Sequence, residues 1–312
     1  MERRHWVQKG YINTLSFSRT HGICTTSWDG SYRSYKGEEM RLKKKLPVGS
    51  AYLRENLLLI GDVDGRVYSW NVDEDTIMKI YPHHKTLVTA VVFENHLGVS
   101  ESVDGLVRIF SIPLGSILEE YQFDNQVTSL ALKNGKLAIG FRDRNFSLVF
   151  VNILRKSDPV YTNLNSSTIL AVDVGNVDAE NNLAIVGHSN GLAKIFNFET
   201  GKLISQLAHP YSVTAVTIGK DCRIFLTASR FELRLWDGGA SLVSLKNSHT
   251  EIVNKLCITP SSQYLISGGD DGKVVLWDLL HEDRQRLLIL CLYCPLNQDV
   301  FKLIWKFLVE EA

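Results

Sequence analysis

Short runs of alternating apolar and polar residues, separated by tight-turn sequences, follow one another along the whole chain. The clearest example is the stretch 266–278, where an apolar run ends at Asp271-Gly272 and alternation resumes from Lys273 to Trp277. Glycine adopts positive φ freely and aspartate can hydrogen-bond its own turn backbone, so this pair predicts a tight turn. The pattern therefore predicts a strand, a turn and a second strand.

Six earlier segments carry partial copies of this strand–turn–strand sequence pattern. Before each copy stands a β-branched residue followed by two residues and then a small or apolar one. The seven β-branched positions are Ile12, Val48, Val88, Val127, Ile169, Val213 and Val253. Their spacing of about 40 residues predicts a repeat architecture with four short strands per unit. In every copy but the sixth, whose turn is a residue shorter, six residues separate the turn position from an aromatic, which in the fourth copy is Phe150.

The seventh copy resembles the WD-repeat family of β-propellers, because it carries that family's complete polar tetrad. The four residues are His249, Ser267, Asp271 and Trp277. The third copy keeps His84, Ser100 and Asp104 but ends in Phe110, which cannot donate a hydrogen bond as an indole does. The resemblance implies an all-β fold, a seven-bladed β-propeller over residues 1–292, in which the tetrads lock each blade by hydrogen bonds.

The fourth, outer strand of each blade is expected directly after each copy. These strands are predicted at 40–46, 76–81, 116–123, 160–164, 202–207 and 241–245. Few residues precede the first repeat, so we expect 286–292 to complete the seventh blade without an N-terminal closing strand. The remainder, 293–312, is predicted as a C-terminal helical extension, because apolar residues recur at helical spacing after the N-cap candidate Asn297.

The composition narrows the function classes. The 312 residues carry 34 basic and 34 acidic side chains, so no net charge indicates a nucleic-acid or membrane partner. Five cysteines at irregular spacing do not form a disulfide framework. No signal peptide and no stretch of transmembrane length is evident, which predicts an intracellular protein, cytoplasmic and/or nuclear. The oligomeric state stays open.

Three motifs with possible chemistry are better explained as structure. The pentapeptide Gly187-His-Ser-Asn-Gly191 matches a nucleophile elbow, yet it occupies a turn between two predicted strands rather than between a strand and a helix. Cys291 and Cys294 form a CxxC pair that lacks the second pair of ligands a structural zinc site needs. The basic strip at 41–45 is typical of a solvated edge strand. We therefore expect no catalysis, no metal and no cofactor.

In propellers of this family, partner peptides usually cross the top face around the central channel, and two positions per repeat point there. The resemblance implies partner-binding residues at both positions. The residue after the β-branched one gives Asn13, Gly49, Thr89, Thr128, Leu170, Thr214 and Asn254. The residue before the turn gives Trp28, Asp143, Arg230 and Asp270, among others. Trp28 is the favoured anchor, because a large aromatic beside a groove is a good hot spot.

The predicted function is a non-catalytic scaffold or adaptor that binds short peptide motifs of other proteins. The sequences at 26–35 and 40–43 also resemble the first blade of the spindle-checkpoint and mRNA-export adaptors, which clamp an acidic motif across the top face. The basic residue which that family uses after its fifth turn is missing here. The alternative is a ubiquitin-ligase substrate receptor, because 295–308 faintly resembles the opening helix of an F-box.

Overall fold

Seven antiparallel sheets, called blades below, make up the described part of the chain. The computed structural model describes residues 12–18, 22–27, 32–34, 48–142, 148–155, 157–162, 167–175, 182–219, 222–238, 240–245, 249–259, 262–279 and 287–288. Six blades contain four strands, and the first contains three strands within the described residues. In every blade the strands lie side by side in chain order, so each blade is a simple meander. This is the predicted all-β, seven-bladed architecture.

The strands are short and follow the predicted period. The first three blades contain β1 (Ile12–Ser18), β2 (Gly22–Ser27), β3 (Tyr32–Ser34), β4 (Val48–Arg54), β5 (Leu57–Asp62), β6 (Val67–Asn71), β7 (Thr76–Tyr81), β8 (Val88–Glu94), β9 (Leu97–Ser102), β10 (Leu106–Ser111) and β11 (Ile117–Gln122). The fourth and fifth contain β12 (Val127–Lys133), β13 (Lys136–Phe141), β14 (Leu148–Asn152), β15 (Val160–Thr162), β16 (Ile169–Val174), β17 (Leu183–His188), β18 (Leu192–Asn197) and β19 (Leu203–Ala208). The last two contain β20 (Val213–Ile218), β21 (Ile224–Ser229), β22 (Glu232–Asp237), β23 (Ala240–Leu245), β24 (Val253–Ile258), β25 (Tyr264–Gly269), β26 (Val274–Asp278) and β27 (Leu287–Leu288).

The first strand of each blade contacts the first strands of both neighbouring blades, and the contact between β1 and β24 closes the ring. The seven first strands thus surround a central channel. We call the face where they begin the top face; it also carries the turns between second and third strands. The apolar core lies between adjacent blades, where buried residues of one sheet meet those of the next. Nonpolar side chains on both faces of a strand are buried this way.

The tetrad of the seventh blade forms one hydrogen-bonded chain. The indole N–H of Trp277 donates to the Ser267 hydroxyl at 3.0 Å, and that hydroxyl lies 2.8 Å from Nε2 of His249. The other ring nitrogen, Nδ1, lies 3.1 Å from the Asp271 carboxylate. Burial opposes ionisation of Asp271, but the hydrogen bonds from His249 and from two backbone amides lower the pKa of the carboxyl. The chain fixes the third strand, the second strand and the loop before the first strand together.

Other blades keep only parts of this chain. In the third blade, His84 Nε2 lies 2.8 Å from the Ser100 hydroxyl, but its Nδ1 has no partner among the described residues. Asp104 instead accepts the Leu106 backbone amide at 3.1 Å and closes its own turn. In the sixth blade, Thr227 links His209 to Trp236 at 2.8 Å on each side. The partial chains tie strands together without a buried charge.

The fourth blade departs from the predicted alignment. β13 begins with Lys136 paired to Asn152, so Val151 holds the place that Phe110 has in the third blade. Phe150 therefore points to the opposite side and packs on Phe196 and Phe198 of the fifth blade. A one-residue change of register moves a side chain to the other face of the sheet. The alignment of Phe150 with the aromatic residues of the other copies was therefore wrong by one residue.

The same register corrects the top-face position of this blade. Phe141 pairs with Val127 as Ser102 pairs with Val88, so Arg142, and not Asp143, matches Val103. Nine positions separate Arg142 from Val151, against seven from Val103 to Phe110, so the turn is two residues longer. The error arose from assuming a constant turn length.

Several expectations fall on residues outside the described ranges. These are the outer strand at 40–46 with its basic strip, the cysteines at 291 and 294, and the extension at 293–312. The described part of 286–292 is β27, which pairs with β26 as the fourth strand of the seventh blade. No helix in the described ranges is long and apolar enough to cross a membrane.

Replacing Trp277 with Phe should lower the free energy of unfolding by about 1–2 kcal/mol beyond any packing loss, because the Ser267 hydroxyl loses its donor. Trp70 is the matched control: it holds the same position in the second blade, is equally buried, and its indole bonds none of the described residues. Urea unfolding of both Trp→Phe variants measures the difference. Equal losses at the two positions would show that the tetrad hydrogen bond adds nothing to packing.

Three buried histidines should make the fold sensitive to mild acid. Burial lowers the pKa of His84, His188 and His209 from 6.5 to about 4. Between these values the unfolded chain binds protons that the folded chain does not, so the free energy of unfolding falls as pH drops from about 6.5 to 4. Urea midpoints at pH 7, 5.5 and 4.5 test this, and His209→Gln should flatten the dependence. A pH-independent midpoint over that range would contradict the proposed burial of neutral imidazoles.

Candidate functional site

The first set of predicted partner-binding residues lies where the first strands begin. The Thr128 hydroxyl donates to the Ile169 carbonyl at 2.7 Å, and the Thr214 hydroxyl donates to the Val253 carbonyl at 2.6 Å. Each bond links one blade to the first strand of the next. Both hydroxyls therefore donate hydrogen bonds between blades, and only the methyl groups of these threonines remain to contact a partner.

The other members of this set differ in what they contact. Asn254 donates from its amide to the Asp270 carboxylate, which joins the two predicted positions of the seventh blade. Leu170 is half-buried. Asn13 lies in β1, but its side chain is outside the described set, and Trp28 lies wholly outside it. The structure thus brings Asn254 and Asp270 together and tests neither Asn13 nor Trp28.

An exposed cluster covers the top of the sixth and seventh blades. We call it the blade 6–7 patch; it consists of Tyr211, Arg230, Phe231, Ile252, Asn254 and Asp270. Its three large apolar members are 47%, 47% and 42% exposed for Tyr211, Phe231 and Ile252. Aromatic and arginine side chains dominate the energetics of protein interfaces. The patch therefore combines exposed apolar side chains with an arginine.

The backbone holds the blade 6–7 patch in place. The Arg230 carbonyl accepts the Val253 amide at 2.7 Å, and the Asp270 amide donates to the Ile252 carbonyl at 2.9 Å. Arg230 has a φ of 55°, a left-handed conformation that places its guanidinium 3.7 Å above the ring of Tyr211. Stacking on the ring restrains a long side chain and leaves its N–H groups free to face a partner. Backbone hydrogen bonds and ring stacking thus connect the residues of the patch.

Sequence reasoning found only Arg230, Asn254 and Asp270 of this patch. Tyr211 and Ile252 lie in the loops before the first strands, and Phe231 lies in a turn. None of these positions has a period-2 or repeat signal. Their apolar character in loops that should be polar was the available signal.

Glu101 is a buried carboxyl that the sequence analysis did not single out. It is 1% exposed, accepts a hydrogen bond from Thr89, and its Oε2 has no partner among the described residues. Burial raises its pKa to about 7. Register places glycine at the matching position in several blades, as at Gly61 and Gly140, where a Cβ would clash with the next blade. In the sequence, the sign of this site was an acidic residue at a register position where other blades have very small residues.

The pentapeptide at 187–191 lies between two paired strands. β17 ends at His188, the turn exposes Ser189, and Gly191 has a φ of 87°. His188 is bonded through Nδ1 to the Ser167 hydroxyl at 3.1 Å. No helix follows the serine, so the strand–turn–helix geometry of a nucleophile elbow is missing. Within the described ranges, no three His, Cys, Asp or Glu side chains are grouped as metal ligands would be.

The WD domain, G-beta repeat, matches residues 240–278 of the chain, which include the complete tetrad. A computationally designed protein, Ika8, has the same fold: its crystal structure superposes with a TM-score of 0.70 at 21% identity, covering 90% of this chain and 86% of the designed one. At that identity the likeness concerns the fold alone.

Several curated proteins are similar in sequence to parts of this chain. Autophagy-related protein 16 of Arabidopsis thaliana is 30% identical over 30% of this chain and 20% of its own length. Protein ROOT INITIATION DEFECTIVE 3 of the same plant is 22% identical over 71% and 45%. The U3 small nucleolar RNA-associated protein 15 homolog of Bos taurus is 32% identical over 30% and 19%. The matches thus span between about a fifth and less than half of these relatives.

Replacing Glu101 with Gln should stabilise the protein at high pH. The folded chain binds the Glu101 proton up to about pH 7 and the unfolded chain only up to about 4.5, so ionisation weakens the fold as pH rises between these values. The variant should therefore be more stable by roughly 3 kcal/mol at pH 8 and indistinguishable below pH 4.5. The pH dependence of stability that Glu101 causes is thus opposite in sign to that caused by the three buried histidines.

Urea unfolding at pH 4.5, 6 and 8 measures this difference. Glu251→Gln, at an exposed glutamate, is the control and should change stability little at any pH. A Glu101→Gln advantage that is the same at all three pH values would contradict a raised Glu101 pKa.

Proposed function

We propose that this WD-repeat propeller is a non-catalytic adaptor that binds an extended segment of a partner protein across the blade 6–7 patch. WD-repeat proteins generally act as protein-interaction scaffolds, and the repeat match supports that class for this chain. The observation that carries the specific proposal is the exposure of Tyr211, Phe231 and Ile252 beside Arg230 on one ordered face.

The chemistry of the patch suits a peptide. The Tyr211 ring and the Phe231 side chain offer apolar contact, while the Arg230 guanidinium offers a planar set of donors for carbonyl or carboxylate oxygens. Asp270 and Asn254 add an acceptor and a carbonyl oxygen at the channel mouth. A peptide bound there would bury a few aromatic anchors inside a polar rim, which is the usual distribution of binding energy.

Other proteins, rather than nucleic acid, are the proposed partners. The balance of 34 basic and 34 acidic residues provides no overall attraction for a polyanion. One relative is described as associated with U3 small nucleolar RNA, but that description belongs to a protein of which this chain covers 19%. The alternative of a ligase receptor depends on 295–312, outside the described residues, and no observation favours it.

Replacing Phe231 with Ala should reduce recovery of partner proteins about tenfold, because a hot-spot truncation costs 1–2 kcal/mol or more. The control is Ile204→Ala, a similarly exposed apolar side chain on the outer strand β19, away from the patch. Affinity purification of the intact chain and both variants with quantitative mass spectrometry provides the comparison, after urea unfolding shows equal stability. Recovery of identical partners by both variants would overturn the proposed site.

A further inference from the structure

The last described strand directs the chain toward the top face. β26 follows the top-face turn at 270–273 and runs away from it, and β27 is antiparallel to β26, with Leu288 opposite Leu276. β26 begins at Val274, so Leu288 lies two residues short of the level at which β26 begins. From Leu288 the chain is thus directed toward the face that carries the blade 6–7 patch.

The sequence after Leu288 contains a second apolar surface. Helical spacing after the N-cap candidate Asn297 predicts one wide apolar face, made of Val300, Phe301, Leu303, Ile304, Trp305, Phe307 and Leu308. Lys302 and Lys306 fall on the opposite side at the same spacing. An apolar face of this width is typical of a helix that packs on another surface. We call residues 295–308 the C-terminal segment.

The C-terminal segment is within reach of the patch. β27 lies three strand spacings, about 14 Å, from β24, beside which Ile252 lies. Tyr211 and Phe231 belong to the adjacent blade, and neighbouring sheets pack about 10 Å apart. Residues 289–297 span up to about 30 Å when extended. This tether is long enough to bring the C-terminal segment over the patch while every described strand stays in place.

Position and tethering favour this pairing of surfaces. Other exposed apolar side chains, such as Met78 and Ile204, lie on outer strands at the rim, whereas the patch lies on the face toward which β27 runs. A tether of this length gives the segment an effective concentration of about millimolar at the patch. That concentration exceeds the usual concentration of a free partner or of a second copy of the chain. The chain's own segment is therefore the favoured occupant.

We infer that the C-terminal segment packs its apolar face on the blade 6–7 patch and covers it until a partner displaces it. The contact removes exposed apolar surface of both elements from water. Its regulatory consequence rests on the proposed peptide-binding function, because a partner must compete with a tethered occupant of the same residues. A partner therefore binds the intact chain more weakly than it would bind an open patch.

Hydrogen–deuterium exchange of the full chain, followed by mass spectrometry, tests the contact. An isolated helix of this length is marginal in water, so slow exchange across 299–308 requires packing. We expect these amides to exchange about a hundredfold more slowly than in an unfolded chain, and Phe231→Ala to speed their exchange about tenfold. Ile204→Ala, on β19, is the control and should leave the exchange unchanged. Unprotected amides in the intact chain, or protection that Phe231→Ala leaves unchanged, would overturn the inference.

A fluorescent synthetic peptide of residues 295–312 provides the reciprocal test. Phe307→Ala weakens the apolar face of the chain's own segment, while Lys306→Ala changes the opposite side and is the control. By fluorescence anisotropy, the peptide should bind full-length Phe307→Ala about tenfold more tightly than the intact chain or Lys306→Ala, because the patch is then open. Adding Phe231→Ala to Phe307→Ala should abolish this gain. Equal affinity for all four chains would contradict the inference.

Failure of this inference and failure of the proposed function give different results. If Phe231→Ala lowers partner recovery but leaves the exchange of 299–308 unchanged, partners bind the patch and the C-terminal segment does not cover it. If Phe231→Ala speeds that exchange but leaves partner recovery unchanged, the contact is supported, and the proposed function fails together with the regulatory consequence.

A second copy of the chain is the remaining occupant that the experiment separates. Protection of 299–308 that falls on dilution, together with a dimer in size-exclusion chromatography, would show that the segment packs on another molecule. The intramolecular contact would then be wrong. Protection independent of concentration supports it.

Discussion

The ring of first strands is the constraint on which the rest of the molecule depends. Each blade is a small sheet that cannot bury both of its faces alone, and the neighbours must cover them. Side chains of the first strands bond across the boundaries: Ser50 accepts the Val91 amide, Asp173 accepts the Ile218 amide, and Thr214 donates to the Val253 carbonyl. These bonds fix the height of each blade relative to the next. The level at which top-face side chains meet follows from them.

Much of the fold could be predicted from repetition. The period of about 40 residues located the seven blades, and the spacing of His249, Ser267, Asp271 and Trp277 located one complete hydrogen-bonded chain. The predicted alignment of the fourth blade was wrong because β13 and β14 are buried on both faces. Without alternation of polar and apolar residues, nothing in the strand reveals which side a residue such as Phe150 faces.

The candidate site was less accessible to sequence reasoning, for a related reason. Strand positions repeat with the blades, but Tyr211, Phe231 and Ile252 lie in loops whose lengths and conformations vary. Trp28, the favoured anchor from sequence, stays a prediction.

The fourth blade carries neither the histidine nor the tryptophan of the tetrad, yet Val151 and Phe150 are as deeply buried as their counterparts. Apolar packing between neighbours therefore suffices for a blade, and the polar chain is dispensable so long as adjoining sheets stay in place. The polar chain of a single blade can therefore be absent while that blade keeps its place in the ring. The ring of blades therefore depends on apolar packing between neighbours. A blade can lack the tetrad residues by which the repeat is recognised in the sequence and still keep its shape.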